Sequence, residues 1–329
     1  MRSPIDAGVS RTIDIDGPAH FLDMGGPPDG PLLVGLHGLG GSHLNWAAIG
    51  PGLSRRSRVV ALDLVGHGLT PIGRRTADME GHRRLVSGFL RALGGSPAIL
   101  MGNSMGGLVA AMQAAREPDS VSGLILVDPA LPTARVGLVH PRVVANFLLC
   151  AVPGVGESYL TQRRRRTSAE QTVRRVLDFC CVDASRVAED VVEAHIELTE
   201  RLDRATADAA YLRSARSLSR VMARPGEMMT GLRHLRQPTL LLQGARDVLV
   251  PLSAARHMSL AHPGWRFEVA RDIGHVPMLE APVWTTDVIG DWLTHEGAAA
   301  VAASVSGGVP GEATDPPGAS PAQAGADLS

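Results

Sequence analysis

A serine between a predicted strand and a predicted helix limits the folds open to this chain more than any other feature. Residues 98–101 (AILM) are an apolar run, residues 102–107 read GNSMGG, and residues 108–116 follow a helical pattern. Small residues on either side of Ser104 allow the two arms of the turn to approach and tolerate strained backbone at its tip. The pattern predicts a sharp strand-to-helix turn that lifts the Ser104 hydroxyl out of a sheet.

Alternating apolar runs and helical segments predict a doubly wound α/β fold with a mostly parallel sheet. Short apolar runs bounded by turn signals are typical of parallel strands that are covered on both faces. Strands that alternate with helices favour a doubly wound arrangement. Two short strands are predicted within residues 11–24, and further strands are predicted at residues 32–36, 59–62, 98–101, 124–127, 239–242 and 266–269.

Composition and turn signals divide the chain into three parts. Residues 1–130 and 237–295 form the predicted α/β core, and residues 131–236 are predicted to be a helical insertion, or lid. The insertion contains 17 Arg against 12 Asp plus Glu, so its net charge is about +5 and that of the remainder is about −6. Residues 296–329 are mostly Ala, Gly, Pro and Ser, which cannot bury enough apolar surface to offset the entropy of ordering. We therefore predict a disordered tail there.

Three further polar segments follow predicted strands and suit nucleophilic catalysis. His37 begins a glycine-rich turn, Asp247 follows the strand at 239–242, and His275 lies farther along the chain. A serine hydroxyl needs a base to take its proton as it attacks, and a neutral imidazole can accept and return that proton. A carboxylate can then hold the imidazole in the required tautomer. The chain order predicts Ser104 as nucleophile, Asp247 as acid and His275 as base.

Asp128 is an alternative acid. It also ends a predicted strand, as Asp247 follows one, so its carboxylate competes for the role of the acid. Its position before Pro129 equally suits a turn or a capping role, so both interpretations of Asp128 stay open here.

The chain resembles the α/β-hydrolase family, in particular its lidded esterase, haloperoxidase and ring-fission-product hydrolase branch. The resemblance extends from about residue 32 to residue 293, with no family signature in the insertion. It rests on the following motifs: His37-Gly38 with Trp46, DLVGHG at residues 63–68, GNSMGG at 102–107, GARD at 244–247 and Gly274-His275.

The resemblance implies an oxyanion hole and a reaction class. The backbone N–H groups of Leu39 and Met105 would stabilise the oxyanion, and His37 would fix the loop that carries Leu39. We expect a carboxylesterase that forms an acyl-enzyme from an ester of small to medium apolar character. The resemblance implies no metal and no organic cofactor. Carbon–carbon bond hydrolysis of ring-fission products, thioester or lactone hydrolysis, transfer to another acceptor, and a ligand-binding receptor are the alternatives.

Composition excludes several partners and leaves others open. Aromatic residues make up 3% of the chain and the net charge is −1, so a nucleic-acid surface is not expected. The three cysteines suggest no disulfide framework and no zinc site. The first residues lack an apolar signal-peptide core, and no apolar run reaches about 18 residues, so we expect a cytoplasmic protein without stable membrane insertion. The run Arg163–Arg166 suits a solvated turn or an anionic contact, and the oligomeric state is left open.

Overall fold

A single eight-stranded sheet forms the centre of the protein. The structure is a computed structural model that describes residues 8–132 and 140–306. The strands are β1 Val9–Asp14, β2 Pro18–Asp23, β3 Leu32–Leu36, β4 Arg58–Leu62, β5 Ala98–Asn103, β6 Val121–Val127, β7 Thr239–Gly244 and β8 Arg266–Ala270. Their order in the sheet is β1-β2-β4-β3-β5-β6-β7-β8.

The sheet is mostly parallel, and this confirms the predicted fold class. β1 pairs with β2, and β2 with β4, in antiparallel fashion, whereas all neighbours from β4 to β8 are parallel. In parallel neighbours the carboxyl ends of the strands meet at one edge of the sheet. Ser104, Asp128 and Asp247 each follow such an end, so the topology brings them to the same edge.

Helices cover both faces of the sheet because successive residues of each strand point to opposite sides. On β3, Leu33 packs in one apolar cluster and Val34 in the other, and both are fully buried. The helices are α1 Gly50–Leu53, α2 Met79–Ala92, α3 Met105–Arg116, α4 Pro141–Ala151, α5 Val155–Arg166, α6 Ala169–Cys180, α7 Glu189–Arg201, α8 Arg204–Ala223, α9 Gly226–Arg233, α10 Leu252–Ala261, α11 Pro277–Glu280, α12 Pro282–Thr294 and α13 Ala298–Ser306.

The chain between β6 and β7 is helical over its described residues and contains α4 to α9. Its α8 is tied to α2 because the Met79 N–H donates to Ser217 Oγ over 3.1 Å. No single helix in the described ranges is long and apolar enough to cross a bilayer. The pair α4 and α5 passes that test of length and composition together, but the two helices meet at a bend of 113°. That this insertion acts as a lid stays a prediction.

The tail differs from the sequence prediction at its beginning. Residues 298–306 form α13 rather than a disordered segment, and Ala300 on this helix is buried. Alanine is the best helix former, and Gly123 on β6 leaves room for a small side chain. A Cβ atom at Gly123 would lie 2.7 Å from Ala300 Cβ. Because Gly123 has no side chain, α13 can approach β6 closely enough for its small alanine side chains to pack there. The rest of the predicted tail, residues 307–329, and residues 133–139 of the insertion lie outside the described residues.

Candidate active site

Ser104 occupies a strained turn between β5 and α3. Its φ of 53° and ψ of −116° are unusual for a residue with a side chain. The turn is held by the Ser104 N–H, which donates to Val127 O over 3.0 Å. A Cβ atom at Gly102 would lie 2.5 Å from Gly106 O, and one at Gly106 would lie 2.2 Å from Leu36 O. The two glycines therefore permit the close contact that gives the turn its shape.

His275 and Asp247 form a buried hydrogen-bonded pair. His275 Nδ1 donates to Asp247 Oδ2 over 2.7 Å, and both side chains are almost fully buried. The other carboxylate oxygen, Oδ1, accepts from the N–H groups of Leu249 at 2.7 Å and Val250 at 3.0 Å. Because Nδ1 carries the proton in this pair, Nε2 of the neutral ring is left as the acceptor.

Asn103, which the sequence analysis did not single out, ties His275 to the serine turn. Its side-chain Nδ2 donates to His275 O and to Val127 O, each over 3.1 Å. Asn103 is the residue before Ser104, so this contact brings the backbone of His275 next to the turn. A buried amide inside an apolar strand was the sequence signal that could have identified it, since such a group must find partners.

Asp128 lies beside the His275–Asp247 pair, but its own hydrogen bond is to the backbone of Gly244. Its Oδ1 accepts from the Gly244 N–H over 2.8 Å, and its carboxyl is completely buried. Burial and repulsion by the neighbouring Asp247 carboxylate raise the pKa of Asp128 well above its usual range. Its Oδ2 finds no hydrogen-bond donor among the described residues. A protonated Asp128 resolves this, because its O–H can donate to Asp247.

The glycine-rich loop after β3 abuts Ser104. Its turn is closed by the Gly41 N–H, which donates to Gly38 O over 3.1 Å, and Gly40 in the turn has a φ of 76°. A Cβ atom at Gly38 would lie 3.3 Å from Ser104 Cβ. Leu39 therefore lies in a loop that borders the serine turn. Met105 is the first residue of α3, where helix N–H groups have no partner inside the helix.

The side chain of His37 holds the glycine-rich loop in place through two hydrogen bonds to backbone groups. Its Nδ1 donates to Gly38 O over 2.7 Å, and its Nε2 accepts from the Leu64 N–H over 3.0 Å. Burial lowers the pKa of His37 to about 3, so the ring is neutral at physiological pH. A neutral ring can donate at one nitrogen and accept at the other, and both of these bonds require that form.

The helical insertion reaches over the loop through Tyr211 on α8. The Tyr211 ring would lie 3.3 Å from a Cβ atom at Gly40, and its hydroxyl accepts from Asn146 Nδ2 over 3.2 Å. Leu39 joins Phe147 of α4 in one apolar cluster with aromatic residues of α5 and α8. This apolar contact places the inner faces of α4, α5 and α8 at the loop that borders Ser104.

The insertion also holds the segment that carries His275. The His275 N–H donates to Cys180 O, at the end of α6, over 2.6 Å. Buried Glu280 accepts from the Gly274 N–H at 2.8 Å and from the Val182 N–H at 2.9 Å. Glu280 therefore joins the residue before His275 to the chain that follows α6.

Two clusters in the described residues bring three candidate metal ligands within 4.8 Å of one another. One is Asp128, Asp247 and His275, where the contacts above already pair the polar atoms. The other lies at Asp63, whose Oδ2 accepts from His20 Nδ1 at 2.7 Å and His43 Nδ1 at 2.9 Å. Burial opposes ionisation of Asp63, but these two hydrogen bonds outweigh it and lower the pKa of its carboxyl. Both clusters are hydrogen-bonded networks as they stand.

Three buried histidines predict acid sensitivity of the fold. Burial lowers the pKa of His37, His67 and His82, so the folded state keeps these rings neutral. The unfolded chain takes up protons near pH 6.5, so stability is fully present above that pH and falls below it. We expect a loss of up to about 1.4 kcal/mol per histidine and pH unit, measured by urea unfolding across a pH series.

The control for this slope compares two histidines. His82 Nε2 donates to Ser214 Oγ over 3.0 Å, a bond that a glutamine amide can replace. His82→Gln should therefore make the slope shallower by up to about 1.4 kcal/mol per pH unit. His295→Gln alters an exposed ring and should leave the slope as in the wild type. A slope that is equally steep in both variants would contradict this explanation.

The comparison with known families agrees with this geometry. A profile of the family described as alpha/beta hydrolase fold matches residues 31–148, which extend from β3 into α4. The chain has the α/β-hydrolase fold. Within that fold, the serine turn follows β5 and the helical insertion follows β6, and the matched segment contains the serine turn.

Similar α/β-hydrolases differ in what their names say they act on. A 2-hydroxymuconate semialdehyde hydrolase of Pseudomonas sp. (strain CF600) is 28% identical over 82% of this chain and 89% of its own length. A monoacylglycerol lipase of Xenopus laevis is 23% identical over 83% of this chain and 78% of its own. The solved structure of a thermophilic esterase from Thermogutta terrifontis is 26% identical, covers 88% of this chain and 98% of its own, and has a TM-score of 0.66.

Proposed function

We propose that this α/β-hydrolase is a serine hydrolase that cleaves carboxylic esters through an acyl-enzyme. The observation that carries the proposal is the 2.7 Å bond between His275 and Asp247, beside a serine held in a strained turn. A buried imidazole with one nitrogen fixed by a carboxylate and the other free to accept is suited to general-base catalysis. The esterase and lipase relatives support the same reaction class.

The proposed reaction has two halves. His275 Nε2 takes the Ser104 proton as the hydroxyl oxygen attacks the ester carbon, and Asp247 stabilises the imidazolium that forms. The imidazolium then gives its proton to the leaving alcohol, so the acyl-enzyme remains. Water enters, His275 removes its proton, and the resulting hydroxide attacks the acyl carbon. His275 then returns that proton to the Ser104 oxygen as the ester bond to the enzyme breaks, which releases the acid and restores both residues.

The proposed oxyanion donors are the backbone N–H groups of Leu39 and Met105. The loop of Leu39 abuts Ser104, and Met105 opens the helix whose N-terminus faces the turn. Both positions suit donors for the negative charge that develops on the carbonyl oxygen. Since these are main-chain groups, the proposal depends on the backbone of the two segments rather than on their side chains.

An apolar substrate fits the contacts above the loop. Leu39, Phe147 and Tyr211 form part of one cluster, and α5 contributes to it as well. We therefore propose a small to medium apolar acyl group. Carbon–carbon bond hydrolysis is a second candidate, which the similarity to the 2-hydroxymuconate semialdehyde hydrolase favours.

A fluorophosphonate probe and a series of p-nitrophenyl esters test this function. The wild type should be labelled and should turn over an ester of intermediate chain length, whereas Ser104→Ala should show neither. Labelling with turnover of a dienoate ring-fission product but of no ester would favour the second candidate. Labelling without turnover of either substrate would favour a receptor or a transferase. A folded wild type that is not labelled would contradict the serine-hydrolase proposal.

A further inference from the structure

Helix α4 exposes an apolar stripe on its outer face. Val144, Leu148 and Val152 follow one another at intervals of four residues and have exposed fractions of 43%, 63% and 50%. Residues four apart lie on the same face of a helix, so the three side chains form one continuous stripe. The stripe ends at Val152, the residue that follows α4. The opposite face, which carries Val143 and Cys150, is buried.

This stripe is part of a larger apolar patch at the α4–α5 corner. Leu149 and Val155 are also exposed, at 38% and 44%. Five of the nine large apolar side chains that are exposed in the described part of the chain therefore lie within residues 144–155. Isolated exposed apolar residues are ordinary in a protein surface, but a concentration of this kind marks an interaction site. We call these five residues the corner patch.

Basic residues lie at the opposite end of α5 from Val155 of the corner patch. Arg163, Arg165 and Arg166 at the end of α5 are exposed. Arg166 follows Val155 by eleven residues, about three helical turns, so the two lie on one face of α5 about 16 Å apart. The only charged residue in α4 is Arg142. Exposed Glu157 in α5 is bound by Arg216, which offsets its charge.

The same two helices connect this outer surface with the candidate site. On their inner side, Phe147 of α4 and Tyr159 of α5 pack in the cluster that includes Leu39 of the loop beside Ser104. A molecule bound to the corner patch would therefore be separated from the loop beside Ser104 by α4 and α5.

We propose that the corner patch, together with Arg163, Arg165 and Arg166, docks this protein on an anionic lipid bilayer. Apolar side chains enter the boundary between headgroups and acyl chains, while the arginines contact lipid phosphates. In this proposal α4 and α5 lie along the membrane surface, because their inner sides stay packed in the cluster that includes Leu39. An anionic bilayer accounts for both the apolar patch and the exposed arginines, since it has an apolar interior and negatively charged headgroups. A symmetric contact between two copies would instead bring the same basic surface onto itself.

Vesicle sedimentation tests the docking without any need for turnover, so its result is independent of the proposed hydrolase chemistry. The full chain is mixed with vesicles of phosphatidylcholine and phosphatidylglycerol, or of phosphatidylcholine alone. The wild type should bind the anionic vesicles and bind the neutral ones far more weakly. Arg165→Glu with Arg166→Glu should weaken partition at least about 25-fold, since each lost arginine contributes about a fivefold factor. Leu148→Ser with Val152→Ser should weaken it about tenfold.

Matched substitutions elsewhere on the surface give the controls. Leu260→Ser alters an apolar side chain that is 81% exposed on α10, and Arg55→Glu with Arg56→Glu alters two exposed arginines. Both variants should bind as the wild type does. Thermal unfolding of each variant verifies its fold, and Val144→Ser replaces the double serine variant if that one is unfolded. Failure of the wild type to bind anionic vesicles, or equal losses in the control variants, overturns the proposal. So does a dimer in solution that the Leu148 and Val152 substitutions dissociate.

Discussion

Asp247→Asn is expected to lower kcat for ester hydrolysis about 10⁴-fold while the protein remains folded. The asparagine amide can donate to His275 Nδ1, where the aspartate accepts over 2.7 Å. This reversal favours the tautomer that carries its proton on Nε2, so the ring can no longer accept the Ser104 proton. Steady-state kinetics with the best p-nitrophenyl ester measures the effect, and thermal unfolding verifies the fold.

Asp128→Asn is the matched control and separates the two candidate acids. A protonated Asp128 donates to Asp247 and accepts from the Gly244 N–H. An asparagine amide can do both, so we expect kcat to fall by less than about tenfold. A loss of about 10⁴-fold in Asp128→Asn, together with an active Asp247→Asn variant, would identify Asp128 as the acid instead.

Gly106→Ala is expected to remove nearly all activity and to destabilise the protein by about 3 kcal/mol or more. A Cβ atom there would lie 2.2 Å from Leu36 O and 2.6 Å from His37 O, which are backbone atoms of β3 and the loop after it. Since backbone atoms cannot rotate away, the strand-to-helix turn must shift as a whole. A displacement of about 1 Å at a reacting group can cost about 100-fold in rate.

Gly290→Ala is the matched control for a glycine within a helix. Apart from its two chain neighbours and the backbone of its own helix, no atom of the described residues lies within 4 Å of a Cβ atom at Gly290 in α12, so alanine meets open space there. We expect this change to stabilise the protein by about 0.5–1 kcal/mol and to leave kcat/KM unchanged. Urea unfolding and ester kinetics compare the two variants. A Gly106→Ala protein as stable and active as the wild type would show that the turn tolerates a side chain.

The sequence predicted local structure well where apolar runs and turn residues agree. The strands, their alternation with helices and the sharp turn at Ser104 all followed from patterns within a few residues, because strand and turn preferences are local. The tail was predicted less well. Its small residues were predicted to bury too little apolar surface for an ordered structure. However, α13 packs closely against β6, because Gly123 has no side chain at the point of contact. This close contact depends on a distant strand, which no local pattern reveals.

The sequence by itself determined the fold class and the residues that could supply a nucleophile, an acid and a base, because residue types and their order along alternating elements are written in the chain. Only the tertiary structure decided how the two aspartates differ. Asp247 bonds to His275, whereas Asp128 bonds to the Gly244 N–H, and burial beside Asp247 raises the pKa of its carboxyl. Hydrogen bonds between distant segments and the exclusion of water set these differences, and both arise only when the strand ends meet at one edge of the sheet.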